Sequence, residues 1–173
     1  VCEDCAGGGI YNLSVMTITN GTINGNNANF GGGIENASGA NLWATGVQIY
    51  GNVVEGDPDD ASAGGGIENL GTMRLTNGTV RNNDAQFGAG VANGGILTVT
   101  GSALYSNSAT TRGGGIHNSF NLTVETSNIY DNEAGSDGGG GLSSESGDVV
   151  VMQTAVYNNS ATGPGGGISN NVI

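Results

Sequence analysis

Side chains able to do chemistry are few in this sequence, and most stand alone. Cys2 and Cys5, in "CEDC", are its only cysteines. A Cys-x-x-Cys pair serves as a disulfide, half of a zinc site or a redox motif. There is no second cysteine pair, and the sole histidine, His117, lies far along the chain, so zinc lacks its remaining ligands. No histidine follows Cys5 to mark haem attachment. Two readings stay open: a local disulfide made in an oxidising compartment, and a bridge to a neighbouring chain.

Glu55, Asp57, Asp59 and Asp60 collect oxygen ligands in the one long insertion, "VVEGDPDDASA" at 53–63. Such a loop suits Ca²⁺, but EF-hand spacing is absent. A solvated acidic loop is the preferred reading, and no cofactor is assigned. Arg74, Arg81 and Arg112 are the only cations. An arginine or lysine base beside acidic calcium ligands would make a polysaccharide lyase, but no acidic cluster shares a strand face with these arginines, so no catalytic residue is assigned. His117 has no partner at triad spacing and is expected to be solvated. Glu35 and Glu68 fall at matching repeat positions, where like charges repel. A cation or rotation into solvent would relieve them, and solvation is the expectation.

The background that must position these groups is acidic and glycine-rich. The 173 residues include 35 glycines and carry a formal charge of −12, from 15 carboxylates and three arginines. That balance excludes a nucleic-acid partner, since no basic footprint exists to displace phosphate counterions. No apolar run approaches the ~20 residues of a spanning helix, so membrane insertion is not expected. With no initiator Met or signal peptide, the start reads as a processed or excised end.

The chain repeats itself, and a period of this length points to a solenoid or array. "GGGIEN" occurs at Gly31–Asn36 and again at Gly64–Asn69, among near-copies. The residue after each glycine run is Ile10, Ile34, Ile67, Val91, Ile116, Leu142 and Ile168, at intervals of 24, 33, 24, 25, 26 and 26. Two further aliphatic series, Met16, Leu42, Met73, Leu97, Leu122, Val149 and Ile23, Ile49, Val80, Leu104, Ile129, Val156, stay seven residues apart in all six repeats. The segments are short, alternate in polarity and favour Val, Ile and Thr, as strands do. Strands at this period with no helical crossovers coil as a solenoid. The expected fold is all-β, a right-handed parallel β-helix of about six coils of 24–33 residues with a partial seventh. It forms one domain over 1–173, with a Cys-x-x-Cys segment at 1–6, the insertion at 53–63 and a terminal partial coil at 165–173. Adjacent coils would lie ~4.8 Å apart, with glycine stacked on glycine at one corner, where positive φ and close backbone approach are cheap. Two asparagine series, Asn12, Asn36, Asn69, Asn93, Asn118, Asn170 and Asn26, Asn52, Asn83, Asn107, Asn132, Asn159, are expected to hydrogen-bond up and down the stack.

The stretches "RNNDAQFGAGV", "YSNSATTRGGGI", "YDNEAGSDGGGG" and "YNNSATGPGGGI" resemble the repeat of polymorphic outer-membrane proteins and related bacterial surface β-helix proteins. That repeat pairs an aromatic-x-x-Asn element with a Gly-Gly-Ala-Ile element. Here Ile, Leu or Val replaces the aromatic and Gly often replaces Ala, so the likeness is to the repeat type. It covers nearly the whole chain and implies a secreted or cell-surface, adhesin-like passenger of bacterial type.

If Ile23 and its equivalents point inward, their successors point out. Tyr50, Arg81, Tyr105, Tyr130 and Tyr157 then share one column. Mutual stacking with cation–π support is one reading of it; an aromatic strip for a glycan, a host ligand or another rod is the second. Trp43 and Arg74 match on adjacent coils as a further cation–π candidate. No cap is evident at either end. The expected function is therefore an extracellular structural or adhesive rod that joins copies of itself head to tail. Val1 and Tyr11 would lie on one contact surface, Gly165, Ile168 and Ile173 on the other. The alternative is a polysaccharide lyase or a glycan-binding module.

Overall fold

The computed structural model describes residues 6–55 and 63–171. Each coil contributes four short strands, and each strand lies parallel on its counterpart in the coil before. The first sheet has seven strands, from Ile10–Asn12 to Ile168–Asn170; the second, third and fourth have six each. The second runs from Val15–Thr19 to Val149–Met152, the third from Thr22–Asn24 to Ala155–Tyr157, and the fourth from Asn27–Ala28 to Ser160–Ala161. The molecule is thus an all-β parallel solenoid of about six turns, with no helix among its described residues.

Register follows the aliphatic columns. Ile34 lies on Ile67, Ile67 on Val91, Val91 on Ile116 and Ile116 on Leu142, all fully buried. The second and third sheets add Leu42, Met73, Leu97, Leu122 and Ile49, Val80, Leu104, Ile129 to the same core. Apolar side chains stacked in file shield one another from water, at ~25 cal/mol for each Å² of apolar surface buried.

The fourth sheet is invisible in the aliphatic pattern. Several of its strands hold two residues, and its buried side chains are small: Val54, Ala85 and Ala109, joined by Ala89 in a second core cluster. Val53–Val54, at the head of the stretch read as an insertion, belongs to this sheet.

Both asparagine series form ladders. Asn12 Nδ2 donates to Asn36 Oδ1, and the pattern continues through Asn69, Asn93 and Asn118 at 2.7–2.8 Å. At Ser144 a hydroxyl takes over as acceptor, 3.1 Å from Asn118 Nδ2. In the second series each Oδ1 accepts both the backbone N–H and the Nδ2 of the asparagine one coil earlier, as Asn83 does from Asn52. A third, shorter ladder has no counterpart in the sequence reading: Ser102, Ser127 and Thr154 hydroxyls accept successive backbone N–H groups.

Candidate functional site

The glycine corner does more than turn the chain. Its first residue has positive φ, 72° at Gly64 and 55° at Gly88, as a left-handed corner requires. It also packs on the residue four places on. A Cβ on Gly88 would fall 2.8 Å from Ala92 Cα, and one on Gly113 would fall 2.7 Å from His117 Cβ. Each corner therefore folds back over the outward column of the first sheet, which holds Glu35, Glu68, Ala92, His117 and Ser143 in register. Residues just ahead of the corner complete the cover, held by parallel bridges between Ala63 and Phe87 and between Arg112 and Gly138.

Two expectations of solvation fail here for that reason. Glu35 and Glu68 are only 6% and 8% exposed. Strand alternation places them outward, but the glycine corner covers the face they point to. His117 is likewise largely buried, its side chain 12% exposed. Its ring lies 5.9 Å from that of Phe87, and its Nε2 is 3.3 Å from Ser119 Oγ and 3.6 Å from a Glu145 carboxylate oxygen. The spacing of glycine to the residue four positions later, repeated at Gly31–Glu35, Gly64–Glu68 and Gly113–His117, was the available signal.

Burial sets the protonation of this strip. Desolvation, reinforced by the neighbouring Glu35 charge, pushes the Glu68 carboxyl up to about 8. Desolvation also raises Glu35. Desolvation, then the Arg112 charge, pushes His117 down to about 4. Near neutral pH, Glu68 is a neutral acid and His117 a neutral imidazole. Arg112 pairs with Asp137 and Glu145, and its guanidinium carbon lies 5.3 Å from the Phe87 ring centre. Among the described residues, buried side-chain atoms without a hydrogen-bond partner concentrate here: Glu35 Oε2, Glu68 Oε2, Arg112 Nε, His117 Nδ1 and Ser143 Oγ, with Gln86 Oε1 as the other. A groove of about 290 Å³ opens over the strip, lined by Glu68, Leu70, Phe87, Ala92, Gly94, Arg112, His117, Ser119 and Glu145, among others.

The cluster is not built for nucleophilic attack. Ser119 and Glu145 approach the same imidazole nitrogen, whereas a relay needs the acid on the opposite one. The three arginines do not converge either: Arg74 stands in the second sheet, Arg81 in the third and Arg112 in the fourth.

The tyrosine column stands on the outward face of the third sheet. Tyr105 and Tyr130 stack at 4.8 Å and 10°, Tyr130 and Tyr157 at 5.0 Å and 1°. The Arg81 guanidinium carbon lies 4.2 Å from the centre of the Tyr50 ring. The rings thus turn their faces to each other, and their edges and hydroxyls outward. Trp43 and Arg74 are register partners, but the cation–π contacts among the described residues are those of Arg81 and Arg112. Glu55 is exposed. Tyr11 is 48% exposed in the first strand, and Ile168 is 43% exposed in the last, just past the exposed Gly165. Val1, Cys2, Cys5, Asp57, Asp59, Asp60 and Ile173 lie outside the described residues.

No family model matches the chain, and neither does any curated protein or solved structure. The groove's chemistry therefore has to be read from its own residues.

Proposed function

We propose that this chain is a structural, adhesive β-solenoid of the cell exterior, whose copies extend one another's sheets head to tail. The supporting observation is the contrast between middle and end coils. In the middle, Ile67, Leu75, Val80 and Ile116 are fully covered by the coils on either side. In the first and last described coils the same columns are less covered: Ile10, Met16 and Ile18 are partly buried in one, and Val149, Val151 and Val156 in the other. The two open faces are opposite sides of one ladder, so a second copy meets the first with matching strand spacing and matching columns. Such a contact is heterologous and propagates without closing. An exterior location accords with the resemblance of the repeats and with the Cys-x-x-Cys pair. The lyase alternative draws no support from three arginines on three sheets.

Electron microscopy and light scattering of the purified 173-residue chain test this. Filaments are expected, and Val156→Asp, which sets a charge on one open face, should reduce them to single rods. Dispersed rods at high concentration, or filaments indifferent to Val156→Asp, would refute head-to-tail growth.

A further inference from the structure

The geometry points to a saccharide-binding site in the groove over the first sheet, built to take a neutral, hydroxyl-rich sugar unit against Glu68, His117 and Ser119.

At neutral pH the groove floor carries a neutral carboxyl at Glu68 and a neutral imidazole at His117. The one cation on the wall, Arg112, already faces Asp137 and Glu145. An anionic ligand would find no free counter-charge there, and its desolvation would go uncompensated.

Hydrogen-bonding capacity narrows the class further. Glu68 Oε2 and His117 Nδ1 lack partners, and a neutral carboxyl and a neutral imidazole each donate and accept. Glu68 lines the groove, and rotation about its last torsion, which is broad and nearly two-fold, exchanges the buried oxygen with the other. A sugar hydroxyl also donates and accepts, so adjacent hydroxyls match this set, whereas a purely apolar ligand would leave it unsatisfied.

The remaining walls are apolar. Phe87 and Ala92 line the same groove. Leu70 and Gly94 belong both to it and to a second cavity of about 250 Å³ reaching Gly95 and Phe120. Leu70 and Phe120 stand 41% and 48% exposed on either side of Gly94–Gly95, which leaves a notch where other residues would fill the space. The C–H faces of a pyranose ring suit such walls, and two neighbouring cavities that share Leu70 and Gly94 suit two linked rings.

This inference holds whether or not rods join end to end. It is tested by two-dimensional NMR and calorimetry on the full chain. The neutral disaccharides cellobiose, maltose and lactose are titrated, with digalacturonate as the charged comparison. At least one neutral disaccharide is expected to shift the amides of Leu70, Gly94 and Ser119, with digalacturonate binding at least tenfold more weakly. Gly94→Phe should weaken binding at least tenfold while the circular dichroism spectrum is kept, because a Cβ there meets the movable end of Leu70 at 3.1 Å and no backbone within that distance. Glu68→Leu, which removes a buried carboxyl, should do the same. Tyr157→Ser, on another sheet, should leave binding unchanged. Three results would overturn the site: no shift with any neutral disaccharide, binding that survives Gly94→Phe, or preference for the charged sugar. Loss on Tyr157→Ser with survival in Gly94→Phe would instead move the contact to the tyrosine face.

Discussion

Two polar columns run side by side through the first sheet, in neighbouring positions of the same strands. One is the ladder of Asn36, Asn69, Asn93 and Asn118; the other, one residue earlier, holds Glu35, Glu68, Ala92 and His117. Both are largely buried, yet their hydrogen bonding is opposite. Every asparagine in that run donates to the next acceptor up the stack, while the carboxyls and the imidazole keep unpartnered atoms. The cause is the side chain itself. An amide carries donors and acceptors, so identical copies satisfy one another; the neighbouring column sets carboxyls, a methyl and an imidazole in file, and Ala92 interrupts any run of donors and acceptors. Stacking turns a repeated amide into stability and leaves the atoms of a mixed column without partners. The frustrated column lies under the groove, where a residue that gives up stability has another use.

The sharpest way to break this contrast is to give the ladder the chemistry of its neighbour. Asn69 Nδ2 donates to Asn93 Oδ1 at 2.8 Å and also reaches the Gly71 and Ile96 carbonyls. Asn69→Asp removes the donor and buries a charge against acceptors, so urea denaturation at pH 7 should show a loss of about 3–5 kcal/mol. A loss below about 1 kcal/mol would mean the ladder is only ornamental.

The converse exchange relieves the acidic column. Glu68 binds its proton more tightly folded, at about 8, than the ordinary 4.5. Folding therefore loses stability as pH climbs through that window and levels off above it. Glu68→Gln abolishes this decline, gaining about 4 kcal/mol at pH 8.5 relative to its effect at pH 4.5. Denaturation curves across that range check it.

His117 acts with the opposite sign. Its folded value, about 4, lies below the ordinary 6.5, so the unfolded chain takes up the proton first, and stability falls as pH drops from 6.5 towards 4. His117→Gln should flatten that acid limb by about 3 kcal/mol. Between 4.5 and 6.5 the Glu68 and His117 slopes oppose each other, which predicts a stability plateau there.

The smallest expected effect sharpens the comparison from the ladder side. Ser144 interrupts the amides and is fully buried. Ser144→Asn would continue the ladder from Asn118 toward Asn170 and should add about 0.5–1 kcal/mol. A loss instead would show that the last full coil differs in shape from those before it.

Much of this was legible beforehand, and the failures share a cause. Columns of Ile, Leu and Val at fixed spacing, and Asn at fixed spacing, report direct contacts between equivalent residues, and those contacts are what the solenoid makes. The fourth sheet left no such trace, because Ala85 and Ala109 are too small to stand out as an aliphatic column. The strip of Glu35, Glu68 and His117 was misplaced because alternation gives a side chain's direction and says nothing of what lies above it. There the cover comes from the turn preceding the same strand, a contact across four residues. The groove combines that cover with the Gly94–Gly95 gap, and neither is a chemical motif.

The buried, neutral state of the strip is the point on which the rest turns. A ¹³C NMR titration of the Glu68 side-chain carboxyl measures it directly. A midpoint near 8 is predicted for a carboxyl closed beneath the glycine corner beside Glu35. A midpoint near 4.5 would place that carboxylate in water and contradict both the covered strip and the neutral groove built on it.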